Sequence, residues 1–309
     1  MRKFFTGVWR VITFPFRLVF NIVAYPFRAG YRFFKLINSE PEERPLAEIF
    51  VDITTQKETR DALWEQIEAF RSHLLRSVLW LTLFIIAAFS ITKPAMAYLA
   101  EPVGGLEKLQ AIQPTEEIGV FMRVAMMAGI AAAFPFIAFE FWFFAAPGLK
   151  PHEKKQGLAG IPLSYVLFIA GMAFTFYALL PAALPFLSGF TAISEVWTAR
   201  EYFAFITGLM LWIGLFFEFP LVIYALSSIG LVNPKVLADQ WRLAVVIIAV
   251  LAAAITPTVD PVNMGLVMLP MILLYFIGIG MGYLAYAGRK KRQTAAEETP
   301  AQETETGFG

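Results

Sequence analysis

From residue 74 onward the chain alternates long uninterrupted apolar runs with short polar links, a pattern of neither amphipathic helices nor alternating strands. Measured against the roughly 20 apolar residues that a spanning helix needs, six runs qualify as candidates: Leu74–Ile91, Val124–Ala146, Leu158–Leu180, Phe203–Gly230, Leu243–Thr256 and Val262–Ala287. The pattern predicts an all-α polytopic membrane protein with six transmembrane helices. The fifth run is short and Thr256-Pro257 closes it, so it crosses a thinned bilayer or stops short of the far side. Pro135, Pro162, Pro220 and Pro270 lie inside or near the starts of runs, where each removes a backbone donor and favours a kink. Curved helices of this kind would enclose a concave face. Gly278, Gly280 and Gly282 in the last run permit close helix approach.

Composition narrows the chemistry. Hydrophobic residues make up 58% of the chain and charged residues 16%, far from the balance of a soluble domain. There is no cysteine, which excludes disulfides, thiolate nucleophiles and cysteine-ligated metals, and with only His73 and His152 a histidine metal site is not expected. No cofactor and no nucleic-acid partner is implied.

The placement of Lys and Arg predicts orientation. Arg71, Arg76, Lys150, Lys154, Lys155, Lys235, Arg242 and the run Arg289-Lys290-Lys291-Arg292 fall on one side of a six-span topology, against Lys93, Lys108 and Arg200 on the other. The positive-inside rule puts both termini in the cytoplasm of a cell-membrane protein. Residues 1–38 interleave Arg and Lys with aromatics and read as an interfacial segment on anionic lipid. Residues 39–65 read as a cytoplasmic linker, residues 66–288 as the six-span core, and residues 289–309 as a basic stop followed by a disordered acidic tail.

Charges within or beside the runs are the candidate chemistry. Glu218, in Phe217-Glu218-Phe219-Pro220, is the single formal charge between Phe203 and Val232. A charge at that depth is costly, and ionisable groups kept there usually face a cavity or a partner. It is either a functional polar anchor or a protonated acid bonded to a neighbouring helix. Glu140 either shares the polar face of Glu218 or sits near the cytoplasmic headgroups. Glu153, in Pro147-Gly148-Leu149-Lys150-Pro151-His152-Glu153, reads on composition alone as a solvated loop charge. Pro114-Thr115-Glu116-Glu117 reads as a helix start with acids placed for the dipole.

The order Arg71…Arg76, Pro114-Thr115-Glu116, Pro147-Gly148-Leu149…Glu153, Phe217-Glu218-Phe219-Pro220, Arg242 and Thr256-Pro257-Thr258-Val259-Asp260-Pro261 resembles TatC, the large subunit of the twin-arginine protein translocase. The likeness spans about Gln66 to Ala287. It implies a curved receptor for the twin-arginine signal peptides of folded cargo, driven by the protonmotive force, within an oligomeric complex with single-span TatA/TatB-type subunits. It matches Glu153 to a loop acid that recognises the signal's arginines; Glu68 and Arg71 are the candidates in the N-terminal segment, and Glu218, Pro220, Asp260 and Glu140 the candidate intramembrane polar or partner site. Carboxylates suit that task because a planar guanidinium donates two charge-assisted bonds to one carboxylate. The family's N-terminal pattern resembles His-Leu-x-Glu-Leu-Arg; aligned on Arg71, this chain has Gln66, Ala69 and Phe70 there, and Glu68 falls one residue early.

Two other classes remain open to the residues alone. An ion-coupled secondary transporter would use Glu218 and Asp260, although the halves carry no convincing repeat. An intramembrane enzyme would need a nucleophile, a metal set or an aspartyl pair, and the chain offers none of these motifs.

Overall fold

The structure, a computed structural model, describes residues 57–188, 197–256 and 261–305. Side chains are described for residue 64 and for residues 66–185, 197–256 and 261–291. Among these the regular structure is helical, apart from one isolated bridge between Gln110 and Thr198. The helices are α1 (Lys57–Ala88), α2 (Thr92–Leu99), α3 (Glu116–Ala145), α4 (Pro151–Phe174), α5 (Leu180–Ser188), α6 (Ala199–Phe217), α7 (Phe219–Ile229), α8 (Pro234–Asp239), α9 (Trp241–Ile255) and α10 (Pro261–Glu305). A π-helical segment, Thr175–Leu179, joins α4 to α5 without interruption.

Five stretches are long and apolar enough to cross a membrane: Gln66–Ala88, Glu116–Gly148, Pro151–Pro185, Ala199–Ile229 and Pro261–Lys291. The shorter apolar helix Trp241–Ile255 supplies the sixth element. At 1.5 Å per residue its 15 residues reach only about 22 Å, so the short fifth span expected from Thr256-Pro257 is present. The helices overrun the apolar runs at most ends because the polar flanks stay helical. The first falls furthest short: it ends at Ala88, and Phe89–Ile91 form a turn. The last helix continues past the basic run to Glu305, where composition predicts an unstructured tail; the Ala, Glu and Gln of that stretch are good helix formers.

The core forms where α3, α4, α6 and α10 meet: Val124, Phe168, Met172, Phe203, Ile206, Ile213 and Met271 are buried together. The helix α1 packs chiefly against α3 and keeps a wide apolar face outward, with Leu75, Leu79 and Ile86 exposed. Helices approach closely at three glycines. A Cβ on Gly129 would meet the Ile85 backbone of α1, one on Gly171 would meet the Gly214 Cα of α6, and one on Gly282 would meet Ile223, Ser227 and Pro234. Gly278 faces Phe219 and Pro220 of α7 in the same way, whereas Gly280 points into open space.

Gly230 ends α7 in the left-handed region, φ +83°. Its missing side chain leaves room for the Arg289 guanidinium, which lies where a Cβ would stand. A cation there complements the negative end of α7. Arg289 shares one end of the molecule, the basic end, with Lys150, Lys155, Lys235, Arg242 and the buried Lys154.

Candidate functional site

Glu218 sits at a break in the fourth span. It is both the residue after α6 and the residue before α7, with Pro220 at the second position of α7. Proline has no N–H to continue the ladder, so the α6 helix closes with the Glu218 N–H donating to Leu215 O at 3.1 Å. The Glu218 side chain is 7% exposed. Its Oε2 accepts a 2.6 Å hydrogen bond from Ser164 Oγ of α4, and its Oε1 has no hydrogen-bond partner among the described atoms. Ser164 lies 13 residues into α4, about 20 Å along the helix from the basic end. The carboxyl is therefore at membrane depth, with one oxygen held and the other unclaimed. Pro220 packs against Gly278 of α10.

Glu140 lies on a different pair of helices. It is 3% exposed on α3, hydrogen-bonded to His73 Nδ1 of α1 at 2.7 Å, with Arg76 Nη1 3.8 Å from the same oxygen. Phe70 meets Phe144 edge-on at 5.4 Å between centroids, and His73 lies against Phe143 and Phe144. Glu140 thus joins α1 to α3 near the basic end and does not share the Glu218 contact.

Glu153 is fixed by the first turn of α4. Pro151 opens that helix, and the Lys150 backbone N–H donates to Glu153 Oε2 at 2.9 Å. The carboxylate therefore caps its own helix. Its Oε1 lies 3.9 Å from His152 Nε2, and the side chain is 13% exposed. The residues of the Gln66–Arg76 segment divide by face. Glu68 and Arg71 are exposed, Nη1 to Oε2 at 3.5 Å, whereas Ala69 is half-buried. One residue turns a helical side chain by roughly 100°, so Glu68 does not occupy the direction of Ala69. Glu68, Arg71 and Glu153 all lie at the basic end; no bond joins Glu68 to Glu153 among the described residues. Asp260 lies outside the described residues.

At the opposite end, Glu116 is 7% exposed and clamps the loop before α3 to the start of α6. Its Oε1 accepts the Arg200 N–H at 2.7 Å, and its Oε2 accepts the N–H groups of Ile112 at 2.9 Å and Gln113 at 3.4 Å. Gln110 adds backbone bonds to Trp197 and Ala199. The reading of Glu116 as a helix-start acid missed this clamp, because one of its partners is the backbone N–H of Arg200, 84 residues away and invisible to any side-chain pattern. Ser164 also went unread; a lone small hydroxyl inside an apolar run was the available signal.

Comparison with known proteins agrees with this arrangement. The family profile described as Sec-independent protein translocase protein (TatC) matches residues 65–270. The chain is 33% identical over 247 residues to Sec-independent protein translocase protein TatCy of Bacillus subtilis (strain 168), covering 79% of this chain and 97% of that one. It is 33% identical over 226 residues to the TatC protein of Deinococcus radiodurans, covering 70% and 84%. A crystal structure of a twin-arginine translocase receptor, TatC, superposes with a TM-score of 0.65 at 31% identity, covering 71% of this chain and 99% of that one. The break at Glu218, the short fifth helix and the capped loop at Glu153 thus sit in a chain that belongs to the TatC family of Sec-independent protein translocase proteins.

Proposed function

We propose that this chain is the signal-peptide receptor and core subunit of a twin-arginine translocase, with its basic end and both termini in the cytoplasm. It exports folded proteins at the expense of the protonmotive force, in an oligomer with single-span TatA/TatB-type subunits. The observation that carries the reading is Glu153. Its carboxylate is locked in direction by the Lys150 N–H, with the second oxygen 3.9 Å from His152 Nε2 at the basic end. A signal carrying two guanidinium groups finds there one pre-oriented acceptor, with Glu68 of α1 as a second. Glu218 is the intramembrane anchor: its free oxygen accepts a donor from a partner's span or from the inserted signal. Pro220 holds the break at which it sits.

The test is co-purification of the full chain with a tagged twin-arginine signal peptide against a twin-lysine version. The arginine signal is retained and the lysine signal is not. Glu153→Ala removes retention, while Glu153→Gln, which keeps the bond to Lys150, separates the cap from the charge. Equal retention of both peptides by the native chain would overturn the reading.

A further inference from the structure

In a bilayer, lipid tails are as apolar as leucine, so burial alone does not choose where a spanning helix sits; close packing and polar contacts do. That matters most for α1. Its apolar face is turned outward along most of its length, and it packs chiefly on one helix, α3. Two features fix it there. Near the end away from the loops of the basic end, Gly129 admits the Ile85 backbone. Near the basic end, the buried Glu140 is hydrogen-bonded to His73 at 2.7 Å, with Arg76 at 3.8 Å. His73 lies five residues after Glu68 and two after Arg71 on the same unbroken helix. On the other side of the joint, Glu140 precedes Glu153 by the last turns of α3 and the Pro147-Gly148 bend.

We propose that Glu140, through His73, is a positioning residue for signal recognition: it pins the basic end of α1 so that Glu68 and Arg71 stand at a fixed place relative to Glu153. The residue touches no signal itself. Releasing the joint leaves the basic end of α1 held on α3 by aromatic contacts such as Phe70 on Phe144, which tolerate more than one register. A buried carboxyl rather than an apolar group suits the task because a hydrogen bond has one register, whereas Phe-on-Phe contacts tolerate several. The proposal rests on the recognition role given above to Glu153 and Glu68, and its test separates the two.

The native chain is cysteine-free, so two reporter pairs can be introduced in the full-length protein. Phe70→Cys with Phe144→Cys reports the joint, and Phe89→Cys with Phe121→Cys, whose rings stack at 5.7 Å, reports the opposite end of α1. In each background Glu140→Met slows crosslinking of the first pair by a short bis-maleimide about fivefold or more and leaves the second unchanged. Twin-arginine peptide binding falls with it, and Glu140→Gln, which can still bond His73, keeps most of both. Closing the first crosslink in Glu140→Met restores peptide binding, because a covalent tether replaces the joint. Unchanged crosslinking or binding in Glu140→Met, or a tethered Glu140→Met that still fails to bind, overturns the proposal. Should Glu140→Met not accumulate in the membrane, His73→Leu carries the same comparison. Normal binding by Glu153→Ala would instead sink the recognition role, while the crosslinking arm still decides whether Glu140 positions α1.

Discussion

The Ser164 hydroxyl of α4 and the Glu218 carboxyl at the junction of α6 and α7 meet at 2.6 Å in the apolar interior, 54 residues apart in the chain. Ser164 satisfies one oxygen of an acid whose other oxygen meets no hydrogen-bond partner of good geometry among the described residues. A buried polar pair of this kind is half complete, and leaving a partner unmatched is the costly state.

Removing Ser164 should cost stability through Glu218. Hydrogen bonds between membrane helices contribute about 0.6 kcal/mol on average and up to about 1.7, so Ser164→Ala should lower the thermal midpoint in detergent modestly. Replacing both residues, Ser164→Ala with Glu218→Leu, should recover the loss because no polar atom is stranded. Partner crosslinking at the fourth span should still fail in that double variant. A double variant less stable than Ser164→Ala would mean that Glu218 has further structural partners.

Much of the architecture was legible because membrane depth imposes a one-dimensional rule: long apolar runs with few charges are spans. The break at Glu218 was likewise legible, since a charge beside a proline inside such a run is costly twice over. Side-chain partners were not. The bond between His73 and Glu140 joins residues 67 apart, and hydropathy says only that both lie near a membrane edge. Glu153 needed both levels: composition makes it a solvated loop charge, the family pattern makes it a recognition acid, and the geometry adds a cap that either role must share. The expectation for Asp260 and for the segment of residues 1–38 lies outside the described residues.

Close helix approach predicts which glycines tolerate a methyl group. A Cβ on Gly129 would stand 2.6 Å from Ile85 Cα and 2.9 Å from Ile85 N, and backbone cannot yield as a side chain can. Gly129→Ala should therefore push α1 away and destabilise by roughly 1–3 kcal/mol. Gly280 meets nothing within 4 Å, so Gly280→Ala should be neutral or stabilising, since alanine is the better helix former by about 1 kcal/mol. Equal unfolding midpoints for the two variants would refute the packing argument.

The orientation prediction is checked by accessibility. Gln113 is exposed in the loop before α3, and Lys155 is exposed in the first turns of α4 at the basic end. With no native cysteine to confuse the readout, Gln113→Cys in intact cells should react with an impermeant maleimide and Lys155→Cys should not. Permeabilised cells should label both. Labelling of Lys155→Cys alone in intact cells would invert the topology.

Glu116 supplies a prediction at the far end of the molecule from signal recognition. Its two oxygens accept three backbone N–H groups, from Arg200 on one side and from Ile112 and Gln113 on the other. Hydrogen bonds to a charged acceptor contribute about 1.5–3 kcal/mol each when broken one-sidedly, so Glu116→Ala should open the clamp between the loop before α3 and the start of α6. Every 1.4 kcal/mol is a factor of about ten in a local opening equilibrium. Amide exchange at Ile112 and Arg200 should then accelerate at least tenfold, while amides inside α3 and α6 keep their protection. Glu116→Gln should be intermediate, because an amide keeps one accepting oxygen and can hold only one of the two segments. Twin-arginine peptide binding at the basic end should be untouched by either variant. Native exchange rates at both amides in Glu116→Ala would leave the two segments held by the Gln110 backbone bonds alone.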